Sequence, residues 1–149
     1  AGHAGVFSTV DDLAVLAQAL LDDGEHRGRR ILSGRSIEAL LTNSNEGFPG
    51  DDHGLGFELD QHWYMGGLSG PRTAGHTGFT GTSIVIDFAS RSLAILLTNR
   101  VHPSRDRGSV NVARREWADG LAAALGSGPS RGRPGASRPG VGGSPAGKP

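Results

Sequence analysis

The stretch "GHTGFTGTSIVIDFASRSLAILLTNR", Gly75 to Arg100, decides how the rest of the chain folds. Its first nine residues are mostly glycine, threonine and serine with one histidine, His76, and are not built to fill a core. Ile84 to Ile86, a turn at Ala89, Ser90 and Arg91, and then Leu93 to Leu97 read as a β-hairpin. Its second strand is apolar at every position from Leu93 to Leu97, which asks for cover on both faces. The chain must therefore bring helices to two sides of this hairpin.

Upstream, Ser8 and Thr9 each precede an aspartate by three residues, so either can cap a helix carrying Asp11 and Asp12 in its first turn. Leu13, Leu16, Ala17, Leu20 and Leu21 fall on one helical stripe, and Gly24 ends it. Ser33 caps a second helix with Ile37, Leu40 and Leu41 on one face. Thr42 to His53 is a surface loop, Leu55, Phe57 and Leu59 alternate as a strand leading toward Trp63 and Tyr64, and Met65 to Thr73 is a Gly-rich connection. Downstream, Val110, Ala113, Trp117, Leu121 and Leu125 predict a last helix. The expected class is α+β: an antiparallel sheet flanked by helices.

Residues 1–125 form the expected domain. From 126 to 149 the composition collapses to Gly, Pro, Ser, Ala and Arg, which buries too little apolar surface to offset ordering entropy, so a disordered tail is expected. The 15 basic and 15 acidic residues balance overall, but Arg131, Arg133, Arg138 and Lys148 lie in a tail without acids, leaving the body mildly acidic. Nucleic acid is not an expected partner, since no aromatic residue interleaves with Arg131 and Arg133 to stack on a base.

The absence of cysteine excludes disulfides and thiol chemistry, and six histidines show no metal-ligand spacing, so neither metal nor cofactor is expected. Asp51, Asp52 and His53, and Asp60 with His62, could pair locally but read rather as solvated acidic loop. No run of about 18 apolar residues is present, so no membrane span is expected. The chain opens on Ala1 without a leader and is expected to be a piece of something longer. The one Gly-x-Ser-x-Gly match, Gly128 to Gly132 around Ser130, falls in the Gly- and Pro-rich tail, where no strand and helix are expected to flank it as a nucleophile elbow needs, whereas a triad of another geometry, pairing His76 and Asp87 with some serine, stays open.

"GHTGFTGTSIVIDFASRSLAILLTNRVHP", Gly75 to Pro103, resembles the third motif and following hairpin of the class C β-lactamase, DD-peptidase and esterase family of penicillin-binding-protein-like serine hydrolases. "AGHAGVFSTVDDLAVLAQALL" resembles the segment that opens a helix upstream of that motif. The likeness spans Ala1 to about Leu125 and implies the C-terminal portion of the serine β-lactamase-like fold. It implies that His76, Thr77 and Gly78 are the family's His-Thr-Gly form, on a strand lining the site. Thr77 would then hydrogen-bond the substrate, Gly78 would keep the backbone accessible, His76 would supply a polar contact, and the Phe79 N–H would be an oxyanion-hole donor. The implied substrate is a small-molecule ester, amide or β-lactam. A histidine where others have lysine carries little charge at pH 7, which favours an ester or peptide over a β-lactam carboxylate.

Two other family motifs are missing. The single lysine is Lys148, so Ser-x-x-Lys is absent, and the single tyrosine, Tyr64, has Gly66 where Tyr-x-Asn needs asparagine. Ser109, Val110 and Asn111 spell Ser-x-Asn but follow the His-Thr-Gly motif, a coincidence of order. The likeness therefore implies a serine and lysine in an upstream segment, a chain inactive by itself, and exposed apolar surface and an open strand edge where that segment would pack. A second reading is a non-catalytic remnant whose groove binds peptidoglycan fragments or a protein partner.

Overall fold

The computed structural model describes residues 5–106 and 108–126. The first helix, α1 (Val10–Leu21), starts at Thr9, whose Oγ1 accepts the Asp12 N–H at 3.2 Å. It stops before Gly24, where φ is +79° and the Leu32 backbone occupies the space of a side chain, so glycine is required. A small hairpin follows, β1 (Glu25–His26) against β2 (Arg29–Arg30), turned by Arg27 and Gly28, both at the positive φ that a type I′ turn demands. Ser33 then caps α2 (Gly34–Leu41), accepting the Ser36 N–H at 3.1 Å.

The loop from Thr42 to His53 is pinned by Asn43, which accepts the N–H groups of Asn45 and His53 and donates to Asp52. The strand expected over Leu55–Leu59 shortens to β3 (Glu58–Leu59), because the chain bends at Gly56 and leaves Leu55 67% exposed. The approach to Trp63 and Tyr64 is helical instead of extended: α3 (His62–Met65) runs into a 3-10 turn at Gly66–Leu68. Asp119 fixes that turn by accepting the Gly67 N–H at 2.7 Å. His62 pairs with the Gly66 carbonyl and the Ser69 hydroxyl, not with Asp60.

Three longer strands follow, β4 (Thr73–Thr77), β5 (Ser83–Asp87) and β6 (Ser92–Leu96), and the sheet runs β3–β4–β5–β6, antiparallel throughout. Alternation sorts their side chains between two cores. Ile86, with Ile84 and Leu93 beside it, packs against Ala17, Leu20, Leu21 and Ile37 of the first two helices. Val85 and Ala94 pack on the opposite face against Tyr64, Met65, Leu68 and two alanines, Ala118 and Ala122, of the last helix, α4 (Asn111–Ala124). Helices thus cover both faces of the hairpin, as its apolar second strand requires. The outer edge of β6 meets no strand among the described residues.

One helix is rotated from its expected orientation. On α4 the inward stripe is Arg114, Ala118 and Ala122, one residue round from the expected one, so Ala113, Trp117 and Leu125 are exposed. The alanines let the helix approach Tyr64 and Met65 closely, a contact with no room for Trp117. On α1 the expected stripe holds at Ala17, Leu20 and Leu21, which are buried together with Ala19, and departs only at Leu16, which faces solvent. The expected tail lies outside the described residues apart from Gly126. Among the described residues no helix is long and apolar enough to cross a membrane.

Candidate active site

At the end of β4 the sheet opens. β3 pairs only with Ala74 and Gly75, so the outer edge of the strand is free from His76 onward. His76 and Thr77 point to opposite faces. His76 is exposed, with Nδ1 2.8 Å from the Thr77 carbonyl oxygen, while Thr77 shares its face with Gly75 and the α3 and α4 side. His76 stands opposite Ile84 and Asp87 opposite Thr73, three residues apart along the ladder or about 10 Å, so they do not form a triad pair.

The turn from Gly78 to Thr82 is tight. The Gly78 N–H donates to the Thr82 carbonyl and the Gly81 N–H to the Gly78 carbonyl, both at 2.9 Å. Gly81 sits at φ +101° with Thr98 Oγ1 where a side chain would be. Four of the turn's carbonyls also take side-chain donors from two arginines. Arg114, only 7% exposed, donates from Nε to Gly81 O at 3.1 Å, from Nη2 to Gly78 O at 2.7 Å and Thr82 O at 3.0 Å, and from Nη1 to Asn111 Oδ1 at 2.7 Å. Arg100 donates from Nε to Phe79 O at 3.0 Å, and its guanidinium stands 5.0 Å from the Phe79 ring centroid. Burial, and then the like charge of Arg100, lower the Arg114 pKa from the usual arginine value. It stays charged, because arginine does not deprotonate in proteins.

With the carbonyls taken, the N–H groups of Phe79 and Thr80 meet no acceptor among the described residues. Phe79 borders a cleft of about 430 Å³ that is also lined by Trp63, by Thr77 and Gly78, by Arg100 and Arg114, and by residues 108–111. Three of the four residues singled out from the sequence therefore meet in one cleft, and His76 is not among its lining residues. A free backbone N–H beside a threonine hydroxyl, on an open strand edge, can receive a carbonyl oxygen and hold the negative charge that builds on it.

The Ser109–Val110–Asn111 triplet, set aside on its order, also lines the cleft. Its polar groups are engaged, however: Ser109 Oγ accepts the Asn111 N–H at 3.1 Å, and Asn111 holds Arg114. The sequence reading missed both arginines. Arg114 does carry a signal, since it lies four residues before Ala118 and eight before Ala122 on the buried stripe of α4. Behind the strand, Tyr64 is fully buried with its hydroxyl in the space that Gly75 leaves open. Burial, followed by the neighbouring Glu58 carboxylate, raises the Tyr64 pKa well beyond the usual tyrosine range, so this hydroxyl keeps its proton. The Tyr64 hydroxyl and Glu58 Oε2 have no hydrogen-bond partner among the described residues.

The model of one protein family, described as Beta-lactamase, matches residues 1–119. A "Putative D-alanyl-D-alanine carboxypeptidase" of Escherichia coli is 35% identical over 105 residues, covering 68% of this chain and 24% of its own length. One of the same description from Salmonella enteritidis is 33% identical over 114 residues, covering 74% of this chain and 26% of its own length. The chain thus spans about a quarter of these curated relatives. A crystal structure of a beta-lactamase from Mycobacterium bovis superposes with a TM-score of 0.56 at 28% identity, over 79% of this chain and 44% of that one.

Proposed function

The chain belongs to the Beta-lactamase family, among the penicillin-binding-protein-like serine hydrolases, and from that premise we propose that it supplies one wall of an acyl-serine active site. The serine and its lysine base come from a preceding segment, since the single lysine here is Lys148. Residues 1–125 form part of that domain, and residues 126–149 are an appended tail.

In this reading a substrate carbonyl enters the cleft beside Thr77 and its oxygen faces the Phe79 N–H. The serine oxygen bonds to the carbonyl carbon as the serine proton passes to the base, and the Phe79 N–H holds the resulting oxyanion. The alcohol or amine leaves with that proton, and water then splits the acyl-serine to return the free serine and a carboxylic acid. Thr77 donates to a polar group of the substrate, Gly78 keeps the backbone approachable, and His76, exposed at the strand edge, contacts the substrate from outside the cleft. The substrate is a small ester or a D-alanyl peptide, the latter by likeness to the relatives' names.

The observation that carries this reading is the Phe79 N–H, left without an acceptor beside Thr77 at an open strand edge. The free outer edge of β6, and Phe7 at 97% exposed, support a packing partner for the chain. A fluorophosphonate probe on the complete reading frame tests it. Labelling of one serine in a Ser-x-x-Lys sequence is expected in the complete product and none in this chain alone. A complete product without that motif and without label would overturn the reading and leave the groove as a binding surface.

A further inference from the structure

We infer that Arg114 is a positioning residue for the proposed site: by holding the Gly78 carbonyl it aims the Phe79 N–H, at the other end of the same peptide, into the cleft. The inference rests on the function proposed above.

The peptide joining Gly78 to Phe79 is planar, so its C=O and N–H point in opposite directions and fixing one fixes the other. Gly78 O receives two donors, Arg114 Nη2 at 2.7 Å and the Gly81 N–H at 2.9 Å. One of them is charged, and a charge-assisted bond to a carbonyl polarises the whole peptide, making its N–H a better donor. The same guanidinium also holds Gly81 O and Thr82 O, so the turn cannot pivot about a single contact.

Arg114 has no carboxylate within ion-pair distance among the described residues. A buried cation without a counter-ion is costly, and here the three carbonyl dipoles and the Asn111 amide oxygen compensate it. Of its five N–H groups four are engaged by these partners, so it is not a free receptor for a substrate anion. Lysine cannot replace it, because one ammonium centre does not match three carbonyls set around a planar fork.

The first test uses the full chain unaltered. By ¹⁵N relaxation the Phe79 amide should be rigid, with an order parameter of about 0.85, while its proton exchanges freely with water. A value below about 0.6 would overturn the inference. In Arg114→Lys the Phe79 resonance should move and its order parameter fall, while the amides of α1 and β5 keep their positions. An unmoved Phe79 resonance contradicts the clamp. Should Arg114→Lys fail to fold, Asn111→Ala, which removes one partner of the guanidinium, should give a smaller displacement of the same resonance, and none would contradict the clamp.

In the complete protein, Arg114→Lys should lower kcat for an ester at least roughly tenfold with KM within about twofold, the signature of a group acting at the transition state. An unchanged kcat overturns the positioning role. If the unaltered complete protein hydrolyses nothing, the proposed function fails and with it the role assigned to Arg114, while the amide measurements still decide whether Arg114 holds the turn.

Discussion

The two ends of β5 are turns of opposite polarity. At the far end Asp87 accepts the N–H groups of Ala89 at 3.0 Å and Ser90 at 3.2 Å, and the Phe88 N–H reaches Arg72 O, so a carboxylate consumes the turn's donors. At the near end two arginines consume the carbonyls of Gly78 to Thr82 and leave the N–H groups of Phe79 and Thr80 free. Each end borders a cleft, about 390 Å³ at the Asp87 end and about 430 Å³ at the Phe79 end, so size does not separate them. Which backbone groups are left unpaired does. A turn held by a carboxylate has spent its donors, whereas one held by cations offers donors to whatever carries negative charge.

The sharpest way to break this contrast is Asp87→Ala. It leaves the donors of a nearly buried turn unsatisfied and should cost about 3 kcal/mol in urea unfolding. A loss under about 1 kcal/mol would mean that the carboxylate does not hold that end. Next comes Gly81→Ala, where the positive φ and the adjacent Thr98 hydroxyl should cost about 2 kcal/mol, with the Phe79 amide shifting more than any amide of the Asp87 turn. A uniform shift at both ends would contradict independent turns.

Behind the near end, Tyr64 is the single tyrosine, so the rise in absorbance at 295 nm that marks tyrosinate formation, above the background of the two tryptophans, reports its ionisation alone. Its pKa is raised in the folded chain, so the stability it contributes is fully present below the unfolded value of about 10 and is lost as pH climbs beyond it. Ionisation should therefore appear together with unfolding. A tyrosinate signal at pH 10 in chain with native circular dichroism would refute the burial. The smallest effect belongs to Asp22, which Arg91 ties to the far turn. The Gln18 amide and then Arg91 lower its pKa, so its contribution holds above the unfolded value and is lost as pH falls through the lower folded one. Asp22→Asn should flatten the acid limb of stability slightly, and an identical limb would show the pair to be inert.

What the sequence disclosed follows from interaction range. The Thr9 and Ser33 caps depend on neighbours three residues away, and the two-sided cover of β6 follows from its own unbroken apolar run. Both are local patterns, and both appear in the structure. The face of α4 differs from the expected one because burial there is set by what fits against Tyr64 and Met65, and alanines won over Trp117; on α1 the stripe holds except at Leu16. Thr77, Gly78 and Phe79 were legible through the order of one motif, and they meet in one cleft. Arg114 was not, because its contacts reach carbonyls 32 to 36 residues away, and nothing near it in sequence marks them. The nearness of Ser109 to Asn111 to Phe79 was hidden for the same reason: chain order says nothing about it, although their polar groups are spent on the Asn111 N–H and on Arg114.

The most direct test exchanges the Phe79 amide for an ester in the complete protein, replacing the N–H by oxygen and keeping the side chain. If this N–H holds the oxyanion, kcat should fall by roughly 10² to 10³ with KM little changed, the cost of losing one such donor. An ester-linked protein that folds and keeps its kcat would contradict the role of the Phe79 N–H, and with it the reading of this turn as the wall of an acyl-serine site.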